Sequence, residues 1–204
     1  MAYDHHDRYY KKAKQHGYRS RAAYKLLELQ ERYRFLHPGD SVVDLGAAPG
    51  GWLQVATKIV GPGGKLVGVD LQAIPPFHER NIVLLQGDTS NGEVREQIKQ
   101  LLSGAADCVL SDLAPKLSGI RDRDIARSFE LNQIALSTAV ELLRPGGAFL
   151  IKSFMSDDLH AFTAAMKRYF LTVHRTKPEA TRQGSSEFYF VALGYSPSPL
   201  RARS

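Results

Sequence analysis

Short apolar runs, each closed by glycine, proline or an acid, recur along this chain, and stretches of helical periodicity separate them. The runs predict strands at about Ser41–Leu45, Lys65–Leu71, Ile82–Gln86, Asp107–Leu110 and Ala148–Lys152. Between several of them, apolar residues three and four apart predict helices over Trp52–Val60, Glu93–Leu102 and Ile125–Leu143. An earlier helix is predicted through Ala22, Tyr24, Leu26, Leu27, Leu29 and Tyr33, with Ser20 as its N-cap. Pro38-Gly39 stops it, and Arg144-Pro145-Gly146-Gly147 turns the chain into the fifth strand. After a helix near Asp158–Tyr169 the pattern changes. Leu171–Arg175 and Glu187–Leu193 are joined by a polar loop without a helix, which makes them antiparallel neighbours. The expectation is an α/β fold with a mainly parallel sheet and an antiparallel C-terminal edge hairpin.

The 204 residues fit one domain large enough for a substantial core. With 43% hydrophobic and 24% charged residues, the composition is that of a soluble globular chain and excludes a disordered one. No segment reaches the length of a transmembrane helix, and the polar start from Ala2 to Lys14 lacks the apolar centre of a signal peptide. The single cysteine, Cys108, lies in an apolar run without a disulfide partner. It reads as a small buried residue in a reducing compartment, here taken as the cytoplasm.

A formal net charge of +6 suits a polyanionic partner, but its placement says more than its size. Arg8, Lys11, Lys12, Lys14, Arg19, Arg21 and Lys25 crowd the N-terminus among Tyr9, Tyr10, Tyr18 and Tyr24. Basic groups neutralise phosphates and aromatic rings stack on unpaired bases, so the segment points to nucleic acid. A solvated basic arm is the plainer reading of the same residues. Seven histidines offer no convincing ligand spacing with one another or with Cys108; His5-His6 is a flexible pair, and no metal is expected.

Candidate chemistry collects at the strand ends, where open α/β sheets bind ligands. Asp112 ends the run Cys108–Ser111, Lys152 ends Ala148–Ile151, and Glu187 opens Phe188–Val191. Upstream, Val42-Val43-Asp44-Leu45-Gly46-Ala47-Ala48-Pro49-Gly50-Gly51-Trp52 reads as a strand, a small-residue loop and a helix start. Such a loop lets backbone amides approach a ligand. Asp70 ends the second strand, where a carboxylate can accept from ribose hydroxyls, and Gly87-Asp88 ends the third, near an adenine edge. Nicotinamide cofactors use similar parts. Here Ala48 replaces the second glycine of their loop, and Asp44 would be a poor neighbour for pyrophosphate. A sulfonium cofactor with an amino-acid tail tolerates that acid, so S-adenosylmethionine is favoured and a nicotinamide-dependent oxidoreductase is the runner-up.

The run from Asp44 to Trp52 resembles the cofactor loop of the FtsJ family of RNA 2′-O-methyltransferases. Leu110–Pro115 with Ser118-Gly119, Gly146–Lys152, Ser20–Leu26 and Ser186–Tyr189 resemble further segments of that family, in order from about Arg19 to Tyr195. The resemblance implies a Rossmann-like class I methyltransferase with a seven-stranded sheet. A basic arm (1–19) would precede a single methyltransferase domain (20–195), followed by a loose tail (196–204) that carries Arg201 and Arg203. It implies a catalytic tetrad of Lys25, Asp112, Lys152 and Glu187, and cofactor contacts from Gly50, Trp52, Asp70, Asp88 and Asp112. The implied substrate is a uridine ribose of large-subunit (23S) ribosomal RNA or of the 50S particle, with transfer RNA as the main rival. The implied protein is a monomer that needs neither DNA nor membrane, since DNA lacks the 2′-hydroxyl. One departure stands out: Ser153-Phe154-Met155-Ser156 follows Lys152 where the family often continues hydrophobic-Phe-Gln-Gly. Arg121 and Arg123, after Ser118-Gly119, fit an RNA-facing loop or a solvated one.

The implied reaction is in-line attack of a ribose 2′-oxygen on the sulfonium methyl. Lys152 is the expected base, Asp112 its orienting partner, and Lys25 and Glu187 the groups that position the ribose. Singly, each has a bland alternative: a snorkelling lysine, a turn-forming aspartate, a solvated helix charge, an edge-strand gatekeeper. A non-catalytic RNA-binding assembly factor with the same fold is a further alternative.

Overall fold

The computed structural model describes residues 8–115, 118–156, 158–182 and 184–198. His5-His6, the start of the expected arm, Arg201, Arg203 and the side chain of Arg121 lie outside the described residues. Thirteen elements follow one another: α1 (Arg8–Gln15), α2 (Ala22–Tyr33), β1 (Ser41–Leu45), α3 (Gly51–Val60), β2 (Lys65–Asp70), β3 (Ile82–Gln86), α4 (Gly92–Leu102), β4 (Ala106–Ser111), α5 (Arg121–Leu142), β5 (Leu143–Phe154), α6 (Leu159–Lys167), β6 (Phe170–Thr176) and β7 (Glu187–Tyr195). The strands form one sheet in the order β3-β2-β1-β4-β5-β7-β6. The first five are parallel, while β7 runs antiparallel to both β5 and β6. The order reverses between β1 and β4, which opens a crevice at their carboxyl ends.

Alternation along the strands splits the core in two. Val42, Leu110, Leu150, Tyr189 and Val191 pack on one face under α2 and α3. Val43, Val109, Phe149, Ile151 and Phe190 pack on the other under α4, α5 and α6. Because both faces are covered, the central strands are mostly apolar, and the polar residues they bury, Asp44, Ser111, Lys152 and Ser153, lie toward their carboxyl ends. Cys108 is fully buried among them, and burial pushes its thiol pKa well up, so it is an inert core residue.

Several local expectations change. The N-cap of α2 is Arg21 rather than Ser20, and no side chain caps the helix. Ser20 instead turns its hydroxyl toward the start of α3, where a Cβ on Gly51 would collide with it. The basic N-terminal segment is partly ordered as α1: Ala13 is buried, and Tyr9 lies 5.7 Å from Tyr24, ring to ring. Arg121 and Arg123 belong to the first turn of α5, not to a loop. The turn at 144–147 is a bulge within β5, inserted between the pairs Leu143–Ala106 and Ala148–Cys108. β5 also runs on to Phe154, so Lys152 stands inside a strand rather than at its end. Pairing with β7, which begins at Glu187 opposite Phe154, extends it.

Candidate active site

Lys152 and Phe154 point to one face of β5, opposite Tyr189 and Glu187 of β7. That face lies under α2, whose Lys25 places Nζ 2.5 Å from Glu187 Oε1. The same oxygen accepts from the Tyr189 hydroxyl at 3.0 Å, and Lys25 Nζ lies 5.7 Å from the Tyr189 ring centroid. Lys152 Nζ donates to the backbone carbonyl of Asp112 at 2.8 Å and forms an ion pair with Asp112 Oδ1 at 2.8 Å. Asp112 is held just past β4 by its amide, which donates to Leu45 O at 3.0 Å. The four expected catalytic residues therefore gather as two cation–carboxylate pairs. Tyr189 links the pairs, since it is also the cross-strand partner of Lys152. At 6% and 8% exposure, Lys152 and Lys25 are not solvated surface lysines.

The loop between β1 and α3 turns on Gly46 and Gly50, with φ of +78° and +104°. The amides of Gly46 and Ala47 donate to Val69 O, which seats the loop on β2. Asp70 secures it further, accepting from Ala48 N at 2.9 Å through Oδ2 and from Gln72 N at 2.8 Å through Oδ1. Each oxygen keeps a second lone pair for a ligand hydroxyl. A cleft of about 660 Å³ lies over these strand ends, walled by Gly46, Ala48, Asp70, Leu71, Asp112 and Pro115 among others. Gly51 and Trp52 join Asp44 and Asp112 around a small recess beside it. The Trp52 ring is buried, 6.0 Å from Tyr189, with Nε1 donating to Ala22 O at 2.9 Å. Its offer to a ligand is thus the unpaired amide of a helix start.

Two expected cofactor residues stand apart. Asp88 lies past β3 with Oδ1 accepting from Ser90 N, and it is not among the residues lining the cleft. Gly50 has its open side covered: a Cβ there would meet the Phe77 ring at 2.7 Å and Arg19 Nη1 at 2.9 Å. Arg19 sits over that ring, 3.7 Å from its centroid, and donates to the carbonyls of Pro49, Pro75 and Pro76 at 3.2, 2.6 and 2.5 Å.

Asp44 is the electrostatic anomaly. It is 1% exposed, and neither carboxylate oxygen has a hydrogen-bond partner. Burial first, then the charges of Asp112 and Asp70, push its pKa well above the ordinary carboxylate range. An unpartnered buried carboxylate is destabilising, and a cation beside it relieves the cost. Burial, Asp112 and Glu187 likewise raise the Tyr189 pKa well, which keeps its hydroxyl a donor. Among the described residues, no group of three or more His, Cys, Asp or Glu could hold a metal ion.

Tyr189 and Arg19 belong to the site although neither is expected there from the sequence, in which Asp44 stands only as a poor neighbour for pyrophosphate. Tyr189 had a usable signal, because it lies two residues from Glu187 and so shares its face. Arg19 had none. It read as one more charge in a basic segment, and its carbonyl acceptors lie 30 or more residues away.

With this geometry, the comparisons with known proteins decide the family. The FtsJ-like methyltransferase family profile matches residues 18–195. The chain belongs to this family. It is 48% identical over 202 residues to the ribosomal RNA large subunit methyltransferase E of Methanothrix thermoacetophila, spanning 99% of this chain and 78% of that one. The protein of the same name from Syntrophobacter fumaroxidans is 46% identical, over 95% of this chain and 98% of its own. A crystal structure from Plasmodium falciparum, described as a ribosomal RNA methyltransferase, superimposes with a TM-score of 0.75 at 28% identity. It covers 87% of this chain and 98% of that one. The fold expected from the sequence, a seven-stranded sheet with antiparallel C-terminal strands, is the fold observed. No helix among the described residues is long and apolar enough to cross a membrane.

Proposed function

We propose that this chain methylates a ribose 2′-hydroxyl of large-subunit ribosomal RNA, with S-adenosylmethionine as donor. The family match makes it a methyltransferase, and the names carried by its relatives supply the substrate class. The observation that carries the chemistry is Lys152, buried and held by both the carbonyl and the carboxylate of Asp112, which lines the cleft. The residues also fit the donor. Asp44 supplies an orphaned negative charge for a cationic ligand, Asp70 keeps acceptors for ribose hydroxyls, and the start of α3 offers amides to a carboxylate. When bound, S-adenosylmethionine supplies an electrophilic sulfonium methyl and leaves as S-adenosylhomocysteine.

The protein's own residues prepare the other reactant. Lys152, hydrogen-bonded to the Asp112 carbonyl and ion-paired with its carboxylate, offers its amine to the incoming hydroxyl, whose proton it accepts or polarises as the oxygen attacks. Asp112 holds that amine still. Lys25, Glu187 and Tyr189 form the rigid wall against which the ribose is set, so that orientation contributes alongside proton transfer. Gly50 and Asp88 act at the periphery of the donor site. Residues 1–19 form the RNA-attracting segment, 20–195 the catalytic domain and 196–204 a tail. The protein works as a monomer in the cytoplasm on the 50S particle or its RNA.

The test is methyl transfer from labelled S-adenosylmethionine to undermethylated large subunits, free large-subunit RNA and transfer RNA. Label in a ribose of the large subunit, lost in Lys152→Ala while donor binding persists, is the expected result. Label in transfer RNA alone would keep the chemistry and overturn the substrate. Wild-type-like transfer by Lys152→Ala would remove the proposed base.

A further inference from the structure

A second hollow, of about 310 Å³, opens beside the first, and Pro115 belongs to the walls of both. Its other walls are Ile125 and Ser128 of α5, Phe154 at the end of β5, Met155 beyond it, and Ser186 before β7, with Asp124 at the rim. The hollow therefore lies over β4, β5 and β7, whereas the donor cleft lies over β2, β1 and β4. Asp112 lines the donor cleft, and Lys152, its ion-pair partner, lies two residues before Phe154 on the same face. Phe154 in turn pairs across the sheet with Glu187. A group reaching from the hollow to the reacting centre would pass along this row.

We infer that this hollow binds the base of the nucleotide whose ribose is methylated, turned out of its stack against Phe154 and Met155. The inference rests on the proposed function and adds to it the seat of the acceptor base. Three observations select a base over other parts of an RNA. The first is the lining of Phe154, Met155, Ile125 and Pro115, an apolar surface whose aromatic member is of the kind on which unpaired bases stack. Second, Asp124 at the rim would repel a phosphate, while Ser128 and Ser186 can hydrogen-bond to the edge of a neutral base. Third, Met155 in the wall of the hollow is 50% exposed although it has a large apolar side chain. Exposure of a large apolar side chain within an apolar hollow suits a surface kept for a partner.

The platform is also rigid. Ser153, between Lys152 and Phe154, is buried and accepts a hydrogen bond from Asn132 Nδ2 at 2.8 Å, which pins the end of β5 to α5. Seating the base here sets the distance from its ribose to Lys152. A base too large for the hollow would displace that ribose, so the same residues carry specificity.

Met155→Ala and Phe154→Leu test the inference, with undermethylated large subunits as the probe. Met155 lies past the strand, and its truncation leaves the sheet pairing untouched. For each variant, kcat/KM for methyl transfer should fall about tenfold, the size that loss of one stacking contact commonly carries. S-adenosylmethionine affinity by calorimetry should stay within about twofold of wild type. The salt dependence of large-subunit binding should keep its slope, because stacking neutralises no phosphate. Unchanged kcat/KM in both variants, with an active wild type, would overturn the base site and leave the proposed function standing. So would a parallel loss of donor affinity and melting temperature, the mark of a structural role. A wild-type protein that transfers no methyl to any RNA would overturn the proposed function and this inference with it.

Discussion

Replacing Asp44 by Asn should make the free protein more stable and a worse binder of its donor. The wild-type carboxylate is 1% exposed, lacks any hydrogen-bond partner, and faces two further acids, Asp70 and Asp112. Leaving such a group buried costs about 1–3 kcal/mol, and Asn removes the charge while keeping the shape. A relief of about 2 kcal/mol corresponds to a rise in melting temperature of roughly 4–8 °C for a chain of this size. The dependence on pH follows from linkage. An unfolded Asp titrates near pH 4, whereas burial raises the folded value, so between the two the unfolded chain binds fewer protons and wild-type stability falls as pH rises. Below about pH 4 both proteins carry a neutral side chain here and the gap should close. Above the folded value it should be full and constant. Thermal melts of wild type and Asp44→Asn across that range give the first readout. Calorimetry with S-adenosylmethionine gives the second, with affinity expected to drop about tenfold or more as the anionic partner of a cation is lost. A variant less stable than wild type at neutral pH would refute the reasoning, as would a melting difference independent of pH. Unaltered donor affinity would detach Asp44 from the donor site.

Further predictions concern the groups around the cleft. Lys25→Met leaves Glu187 buried without its cation and should cost about 3 kcal/mol, whereas Lys25→Met/Glu187→Leu should regain most of the stability but no activity, as denaturant titration and methyl-transfer assays would show. Tyr189→Phe removes one hydrogen bond to Glu187, for a loss of about 1 kcal/mol by the same titration. Arg19→Ala frees the Pro75–Phe77 segment from the donor loop and should raise the Kd for S-adenosylmethionine about tenfold by calorimetry, with kcat at saturation little changed. Lys11→Glu with Lys12→Glu on α1 should weaken binding to large subunits and lower its salt slope by about one or two, with donor affinity unaltered.

Period-two and period-3.6 patterning carried most of the sheet. The β3 and β1 boundaries coincide with the expected ones, because each run is closed by a glycine, Gly87 after β3 and Gly46 after β1. The misses share a cause. β5 extends past Lys152 because β7 pairs with it from the other end of the sequence, and no local signal in Ser153-Phe154 reports that partner. Ser20 loses its expected capping role to a contact with Gly51, again a tertiary effect. In the site, the strand-end acids and Lys152 were legible by their position after apolar runs. Glu187 was legible in the same way, by opening an apolar run, whereas Lys25 needed the family resemblance, since an isolated helix lysine has an ordinary surface explanation. The cover that Arg19 and Phe77 place over Gly50 depends on a loop conformation that sequence patterning does not encode.

The distribution of charge explains why a basic protein keeps so many acids at its centre. Asp44, Asp70 and Asp112 stand over the ends of β1, β2 and β4, where the proposed donor is cationic and the acids are needed to hold it. Lys152 and Lys25 stand one strand further along, over β5 and β7, where the acceptor is a polyanion. Each lysine is nonetheless tied to an acid, and the pairing has a consequence. A free buried lysine would hold a phosphate as readily as a hydroxyl, whereas one matched to Asp112 or Glu187 offers direction without net attraction. Under the proposed function, long-range attraction of RNA would fall to the exposed residues of α1, such as Arg8, Lys11 and Lys12. Separating the two tasks in this way would let salt tune how fast RNA arrives without altering how the hydroxyl is held once it is there.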